Sequence, residues 1–410
     1  MILKVYLSNI FPIAVKVVGG LLLVRTFADY LGKDGLGLVS QYQSVMTFGY
    51  GVFTALIFNF TVKNKWPKAD ATDNFHQLLA WIIKIGMFAG LGFALMSIPL
   101  SYLMFDSPEY ASFLLIAGLQ LPLIATYVAL SARMCANGNQ VSYNTIIGFS
   151  TAIAFTGIWI GTRNFSINGA FIALAAFYIP ALLIQGYIGR SELIASLNIL
   201  RAKTLNYPSL PLLKFSAVAI TSAFLAVAIQ IVVRNYIYNN SGWSTVGEWQ
   251  TITKISESYL LLASIPLATF FLPKYAALTS ANGKLDLLIK IASLSLLIIL
   301  LTGTVIFLLW NEIIVLVIGS QFQELKYLFG LQVVGDCFKI LTWVLVTAAT
   351  GDNRLNLVLY IEIFFAIFYC GLVYFAFPTY GMQGAVASYG LAYLTTTILM
   401  LILYKKPYGK

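Results

Sequence analysis

Apolar runs of about 20 residues dominate the chain and are separated by short polar stretches. A helix of that length crosses the hydrocarbon core of a membrane, and it satisfies all its backbone hydrogen bonds internally. Twelve such runs occur, at about 5–30, 38–62, 77–104, 110–136, 142–161, 168–187, 211–238, 247–273, 286–310, 325–350, 355–377 and 383–404. The shorter run at 313–319 is predicted to lie at the membrane interface.

The composition supports this pattern. Of the 410 residues, 60% are hydrophobic and 10% are charged, whereas about 25% are charged in an ordinary soluble domain. So few charges cannot cover the surface of a soluble protein of this size. The chain is therefore predicted to be an all-α polytopic membrane protein with 12 transmembrane helices.

The net charge of +10 is mostly a topology signal. If the N-terminus is cytoplasmic, fourteen Lys and Arg residues fall in inside loops, and only Lys33 and Arg163 fall in outside loops. This asymmetry follows the positive-inside rule. It predicts that both termini are cytoplasmic, and it removes the reason to expect a nucleic-acid partner.

The longest basic connection divides the twelve runs into two sets of six. We expect an N-terminal six-helix bundle at 1–190, a cytoplasmic linker at 191–210 and a C-terminal six-helix bundle at 211–410. Transporters are often built from such repeats. Similar patterns in the two halves weakly favour pseudo-symmetric bundles: Arg25, Gly37 and Gln41 in the first, and Arg234, Gly247 and Gln250 in the second.

Two spans carry polar stripes. Gln250, Lys254 and Glu257 are spaced i, i+4, i+7, and Gln332, Asp336 and Lys339 repeat that spacing, so each trio lies on one helix face. Such a face cannot point at lipid without cost. Either Lys254–Glu257 and Asp336–Lys339 are ion pairs that hold helices together, or the stripes line a path for a polar substrate.

Other charges also fall within spans. Arg25 and Arg234 lie near predicted outer ends, where they either extend to the interface or present planar donors to phosphate. Lys16 is nine residues from Arg25, about 180° around a straight helix, so the two face one lumen only if the helix bends at Gly19-Gly20. Glu362 either couples transport to protons or sodium, or pairs with a lysine.

Enzyme signatures are missing from the sequence. There is no phosphate-binding loop and no dinucleotide fingerprint. With one His and three Cys, none in ligand spacing, we predict no catalytic residues, no metal site and no cofactor. This favours a carrier over an enzyme. Because no ATP site is present, we expect transport to be driven by an H⁺ or Na⁺ gradient, by the membrane potential or by consumption of the product.

Specific stretches resemble a known family. The segment 241–260, SGWSTVGEWQTITKISESYL, and the segment 327–339, YLFGLQVVGDCFK, are similar to signatures of the O-antigen and enterobacterial-common-antigen flippases. These belong to the polysaccharide-transport branch of the multidrug/oligosaccharidyl-lipid/polysaccharide exporter superfamily. The spacing from Lys16 through Arg25 to the glycines at 35 and 37 is also similar, and the resemblance covers essentially the whole chain.

The resemblance implies a function. Such proteins move undecaprenyl-diphosphate-linked oligosaccharide repeat units from the inner to the outer leaflet of the bacterial inner membrane by alternating access. It implies two six-helix bundles in a V around a cationic cavity for the diphosphate and sugars, with the lipid tail in the bilayer. The polymerase and chain-length regulator of such a pathway become candidate partners.

Carried over residue by residue, the resemblance implies substrate-binding cations at Arg25, Arg234 and Lys339, with Lys254 and Lys16 added from their position. Gln250, Glu257, Gln332, Asp336 and Glu362 are then polar lumen residues or coupling groups. Two alternatives remain open. A drug/cation antiporter of the same superfamily would have a more acidic lumen, and a membrane polysaccharide polymerase would elongate its product.

Overall fold

The computed structural model describes residues 2–54, 71–137, 139–202 and 210–405, and within these ranges the regular elements are all helical. The α-helices are α1 (Ile2–Phe53), α2 (Ala71–Leu95), α3 (Ser97–Phe105), α4 (Ala111–Ala136), α5 (Gln140–Ala175), α6 (Ile179–Ile188), α7 (Arg190–Ala202), α8 (Leu210–Pro266), α9 (Leu272–Ala277), α10 (Ala281–Leu308), α11 (Trp310–Val317), α12 (Lys326–Gly351) and α13 (Leu355–Lys405). Short 3₁₀ segments occupy Pro108–Tyr110, Ala176–Tyr178 and Ser320–Leu325, and a π-helical turn occupies Leu267–Phe271.

Eight stretches of helix in the described residues are long and apolar enough to cross a membrane. Four of them contain 43 to 50 residues, about twice the length that one crossing needs. Each of these four is broken near its middle by residues with non-helical backbone angles. The described ranges therefore contain twelve helices able to span a membrane, as the apolar pattern predicts.

The breaks recur in the same order in the two halves of the chain. Gly32 in α1 has φ 70° and ψ −172°, and Gly242 in α8 has φ 79° and ψ 175°. Ser166 in α5 has φ 52° and ψ −137°, and Gly381 in α13 has φ 54° and ψ −137°. The pairs are separated by similar lengths of chain, as an internal duplication requires.

Close backbone packing repeats around the second pair of breaks. A Cβ at Gly169, three residues after Ser166, would lie 2.0 Å from the carbonyl oxygen of Gly161. A Cβ at Gly384, three residues after Gly381, would lie 2.5 Å from the carbonyl oxygen of Ala376. The two halves thus make the same tight turn with the same small-residue contacts, and they are pseudo-symmetric in fold.

Large apolar side chains remain exposed along the helices. Leu95 is 74% exposed, Leu316 is 74% exposed and Phe375 is 78% exposed. Exposed apolar surface on this scale marks contact with a membrane or a partner. Together with the lengths of the spans, it makes the chain a multi-pass membrane protein.

The structure divides into two compact units. The first contains Met1–Leu31 and Leu38–Val227, and the second contains Gly32–Gly37 and Ala228–Lys410. Most of the predicted linker at 191–210 is helix α7, and residues 203–209 lie outside the described part of the chain, as do 55–62 of the second predicted span. The short run predicted to be interfacial falls in the eight-residue helix α11 and the residues that follow it.

The segment Gly32–Gly37 packs within the second unit through its backbone and one ion pair. Lys33 Nζ lies 2.6 Å from Glu248 Oε1, and both side chains are about one quarter exposed. A Cβ at Gly247 would lie 2.1 Å from the carbonyl oxygen of Lys33. Gly247 is therefore required by close backbone approach, and the adjacent ion pair fixes the register of that contact.

A second polar contact in the same unit joins the loop after α12 to two helices. Asp352 Oδ1 accepts from Lys284 Nζ at 2.6 Å, and Asp352 Oδ2 accepts from the Tyr404 hydroxyl. Burial alone would raise the pKa of Asp352, but these hydrogen bonds and the nearby cations hold that pKa below its usual value. The carboxylate thus ties the start of α10 to the end of α13.

We predict that Gly247→Ala lowers the thermal stability of the purified protein in detergent, because the added methyl group must displace the backbone of Lys33. Overpacking of this kind costs about 1–3 kcal/mol. The matched control is Gly371→Ala, where a Cβ would meet nothing within 4 Å. Equal melting temperatures for the two variants, measured by the loss of monodisperse protein on heating, would contradict the close approach.

Candidate functional site

Arg234 is buried in the second unit by contacts that the break at Gly242 makes possible. Because α8 turns back at Gly242, Arg234 on one side faces Gln250 on the other. Gln250 Oε1 accepts from Arg234 Nε at 3.1 Å and from Nη2 at 2.7 Å, and Gln230 Oε1 accepts from Nη2 at 3.4 Å. Arg234 is only 4% exposed, so it is enclosed by protein.

Asp336 on α12 is fully buried, and its carboxylate is surrounded by neutral donors. Oδ2 accepts from Ser256 Oγ at 2.6 Å and from the Tyr259 hydroxyl, both on α8. Oδ1 accepts from the Tyr389 hydroxyl of α13 at 2.7 Å and from Gln332 Nε2 at 3.3 Å. A buried charge is tolerated when its lone pairs are satisfied, so Asp336 holds three helices together.

Lys254 and Glu257 form an ion pair within α8. Lys254 Nζ lies 2.9 Å from Glu257 Oε2, and the two side chains are 30% and 45% exposed. This distance agrees with the first of the two interpretations of their spacing, an ion pair along one helix. Glu257 also interacts electrostatically with Lys339 and Arg234, so one carboxylate is shared by three cations.

Lys339 does not form the ion pair with Asp336 that one interpretation of their spacing required. Among the described residues, no carboxylate oxygen lies within 4.0 Å of its ammonium group. Lys339 Nζ instead lies 5.0 Å from the ring centroid of Trp343, 5.4 Å from that of Tyr389 and 5.6 Å from that of Tyr393. The physical reason is that Asp336 already accepts four hydrogen bonds, whereas the aromatic faces attract the lysine cation.

These contacts join seven of the sequence-predicted site residues into one network, which we call the second-unit polar cluster: Arg234, Gln250, Lys254, Glu257, Gln332, Asp336 and Lys339. It contains three cations and two carboxylates. One of those carboxylates, Asp336, is turned inward to neutral donors. The side of the cluster that remains partly exposed carries the Lys254–Glu257 pair, and half-buried Lys339 adds a further positive charge.

Arg25 lies in the first unit beside an open groove of about 410 Å³. Its Nε is 3.2 Å from Asp29 Oδ2, one helical turn along α1, and the two side chains are 40% and 46% exposed. Trp159 of α5 and Tyr30 of α1 contribute aromatic surface to the groove. Arg25 is thus part of an ion pair at the wall of a cavity.

The structure separates Lys16 from Arg25. Helix α1 continues without a break through Gly19-Gly20, and its non-helical residue in the described range is Gly32. Lys16 is exposed and is not among the residues lining the groove. The bend that would bring both cations to one lumen is therefore not present.

Glu362 on α13 is half-buried in the second unit and interacts electrostatically with Tyr393. Since Tyr393 also lies near Lys339, Glu362 is adjacent to the second-unit polar cluster.

Several residues of these sites escaped the sequence analysis. Asp29 had a detectable signal, because an acidic residue four positions after an arginine lies on the same helix face. Ser256 and Tyr259 flank the predicted polar stripe of α8, and this position is a weaker signal in the sequence. Tyr389, Tyr393 and Trp343 look like ordinary membrane aromatics, so their contacts with Asp336 and Lys339 depend on helix packing that no local pattern reports.

The comparisons with known proteins agree with this architecture. No protein-family profile matches the chain. The Lipid III flippase of Escherichia coli (strain K12) is 25% identical over 391 residues, covering 93% of this chain and 92% of that protein. The Lipid III flippase of Shigella flexneri matches with the same figures.

Among solved structures, the lipid II flippase MurJ in an inward closed conformation has a TM-score of 0.71 at 12% identity, covering 98% of this chain and 87% of that one. An inward-facing multidrug resistance MATE family transporter of the MOP superfamily has a TM-score of 0.70 at 12% identity, covering 96% and 97%. The chain has the fold of these proteins, and the predicted all-α architecture is confirmed. All four relatives are named as flippases or transporters, and none as an enzyme.

We predict that Asp336→Asn lowers the free energy of unfolding by about 2–3 kcal/mol, because an amide has fewer acceptor sites for the four donors. The control is Glu257→Gln, which alters a half-exposed ion pair and is expected to cost less than about 1 kcal/mol. Thermal melts of both variants in the same detergent test this difference. A larger loss of stability for Glu257→Gln would show that the hydrogen bonds to Asp336 are not the main structural contact.

A second prediction concerns exchange of the two charges on α12. Because Lys339 is held by aromatic faces and Asp336 by hydroxyl groups, the double variant Asp336→Lys/Lys339→Asp is expected to be no more stable than either single variant. The measurement is the melting temperature of the three proteins. Partial recovery in the double variant would mean that the two side chains act as a direct pair.

Proposed function

We propose that the chain is a flippase for lipid-linked oligosaccharides. In this proposal it moves undecaprenyl-diphosphate-linked repeat units, of O-antigen or a related polysaccharide, from the inner to the outer leaflet of the bacterial inner membrane by alternating access. The full-length match to a protein named Lipid III flippase supports this class of substrate. The resemblance of segments 241–260 and 327–339 to O-antigen and common-antigen flippases supports the narrower class.

The observation that carries the proposal is the cation surplus of the second-unit polar cluster. A diphosphate is multiply charged and cannot cross hydrocarbon unaided. Buried Arg234 is held rigidly by two amide oxygens, and a preorganised guanidinium suits phosphate recognition because it donates in a planar fork. Lys339 adds a cation that has no carboxylate within ion-pair distance in the described residues.

The basic residues of the predicted inside loops support an orientation with both termini in the cytoplasm. In that orientation substrate enters from the leaflet where lipid-linked sugars are assembled. A polymerase and a chain-length regulator of the same pathway remain proposed partners. An H⁺ or Na⁺ gradient, or the membrane potential, is the proposed energy source. The proposed coupling groups are the half-buried carboxylates of Glu362 and Glu257, which would bind the proton or the sodium ion.

To test the proposal, the gene is placed under an inducible promoter in the producing bacterium, and lipid extracts are analysed by mass spectrometry after depletion. We expect undecaprenyl-diphosphate-linked oligosaccharide to accumulate and surface polysaccharide to fall. A plasmid copy carrying Arg234→Ala should restore less than about one tenth of the surface polysaccharide at equal membrane abundance, the loss expected for about 1.4 kcal/mol or more of binding energy.

The matched control is Lys290→Ala, which removes an exposed cation paired with Asp286 on α10 and should restore polysaccharide fully. Full restoration by Arg234→Ala would remove the diphosphate role of that residue. If no lipid-linked oligosaccharide accumulates after depletion, the flippase proposal itself is contradicted.

The alternative is a drug/cation antiporter, supported by the structural likeness to multidrug transporters. An organic cation needs a surplus of accessible carboxylates, and the second-unit polar cluster has the opposite balance. The same depletion strain distinguishes the two functions. Depletion of an antiporter would lower resistance to ethidium and leave surface polysaccharide unchanged.

A further inference from the structure

The groove beside Arg25 in the first unit has the chemistry of a binding site. Its volume of about 410 Å³ lies within the range of small-molecule sites. One wall carries the half-exposed Arg25–Asp29 pair. Since an exposed ion pair on a membrane-spanning helix is costly against lipid, this wall must face water or a polar ligand.

The remaining lining combines aromatic surface with hydroxyl groups. Trp159 and Phe155 of α5 and Tyr30 of α1 supply the rings. The hydroxyls of Thr26 and Thr156 donate to the backbone carbonyls of Leu22 and Ala152, so each retains acceptor capacity toward the groove. Flat apolar faces beside fixed donors and acceptors fit a ligand that is polar at its edges and apolar on its faces.

The charge of the groove distinguishes between two parts of a lipid-linked oligosaccharide. Asp29 Oδ2 lies 3.2 Å from Arg25 Nε and cancels its charge. A diphosphate placed at this guanidinium would meet the Asp29 carboxylate, and like charges repel. Sugar hydroxyl groups have no such conflict, because each donates to a carboxylate and accepts from a guanidinium.

A neighbouring arginine fixes the aromatic wall. The guanidinium of Arg163 lies 5.5 Å from the ring centroid of Trp159, on the same helix and four residues further on. This cation–π contact restrains the indole, which is 41% exposed, so its free surface is available for stacking. A restrained aromatic ring loses little entropy when a ligand stacks on it.

We propose that this groove, lined by Arg25, Asp29, Thr26, Thr156, Trp159 and Tyr30, binds an uncharged sugar residue of the transported oligosaccharide. The inference rests on the proposed function and deepens it. Arg25 then recognises sugar hydroxyls with Asp29, and diphosphate recognition belongs to the cations of the second-unit polar cluster.

The test uses the full-length protein in lipid nanodiscs and two probes. One is the lipid-linked oligosaccharide extracted from the depleted producing strain. The other is undecaprenyl diphosphate carrying a single N-acetylglucosamine. Dissociation constants are measured for the wild type, Asp29→Asn, Trp159→Leu and Arg234→Ala. The control is Asp286→Asn, which changes the acidic member of an exposed i, i+4 pair elsewhere on the chain.

We expect Asp29→Asn and Trp159→Leu to weaken binding of the oligosaccharide probe about ten-fold or more, as for loss of a hydrogen bond to a charged group or of a stacking surface. For these two variants, the dissociation constant of the single-sugar probe should stay within about two-fold of the wild-type value, because the diphosphate supplies most of the contact of that probe. Arg234→Ala should weaken both probes, and Asp286→Asn neither.

Tighter binding of both probes to Asp29→Asn would overturn the proposal, because freeing the Arg25 charge would then assist phosphate recognition. Unchanged binding of both probes to Asp29→Asn and Trp159→Leu would overturn it too. If the wild type binds neither probe, the proposed function fails instead. That result differs from the one expected if only the sugar site in the groove is wrong, because the wild type would then still bind both probes.

Discussion

A carboxylate buried inside a membrane protein must be surrounded by donors, and this requirement organises the second unit. Asp336 meets it with two tyrosine hydroxyls, a serine hydroxyl and an amide, drawn from α8, α12 and α13. Removing any donor would leave part of the charge exposed to an apolar interior. The three helices are therefore held in one arrangement, and that arrangement also fixes Gln250 and Tyr389, the supports of Arg234 and Lys339.

The positive charge is compensated in three different ways at Lys254, Arg25, Arg234 and Lys339. Lys254 and Arg25 have carboxylate partners on their own helices, Arg234 has amide oxygens, and Lys339 has aromatic faces. A cation next to a carboxylate presents a dipole to a ligand, whereas a cation held by amides or rings keeps its full charge. The cation surplus of the second-unit polar cluster therefore gains its weight from Arg234 and Lys339, whose nearest partners are amide oxygens and aromatic rings.

The sequence predicts the fold well and the site only in part. Twelve spans follow from hydrophobic length, and three of the four helix breaks occur at Gly32, Gly242 and Gly381, where a positive φ favours glycine. The fourth break, at Ser166, had no such signal. Periodicity placed Lys254 and Glu257 on one face correctly, but it also suggested a pair between Asp336 and Lys339. The structure does not show that pair, because Ser256, Tyr259 and Tyr389 donate to the carboxylate instead. Contacts between helices are not encoded in the spacing along one helix.

The packing of Gly32–Gly37 within the second unit has a consequence for biosynthesis. Glu248, the partner of Lys33, comes 215 positions after it in the chain. At the usual rates of translation this separation corresponds to roughly 10–40 s. During that interval the turn after the first membrane span has neither its ion pair nor the backbone of Gly247 to pack against. The first spans must therefore enter the membrane with this turn unfinished, and it becomes native only when α8 arrives. A chain that ends before Glu248 would leave the same turn unpacked, and therefore accessible to proteases and to the quality-control machinery of the membrane.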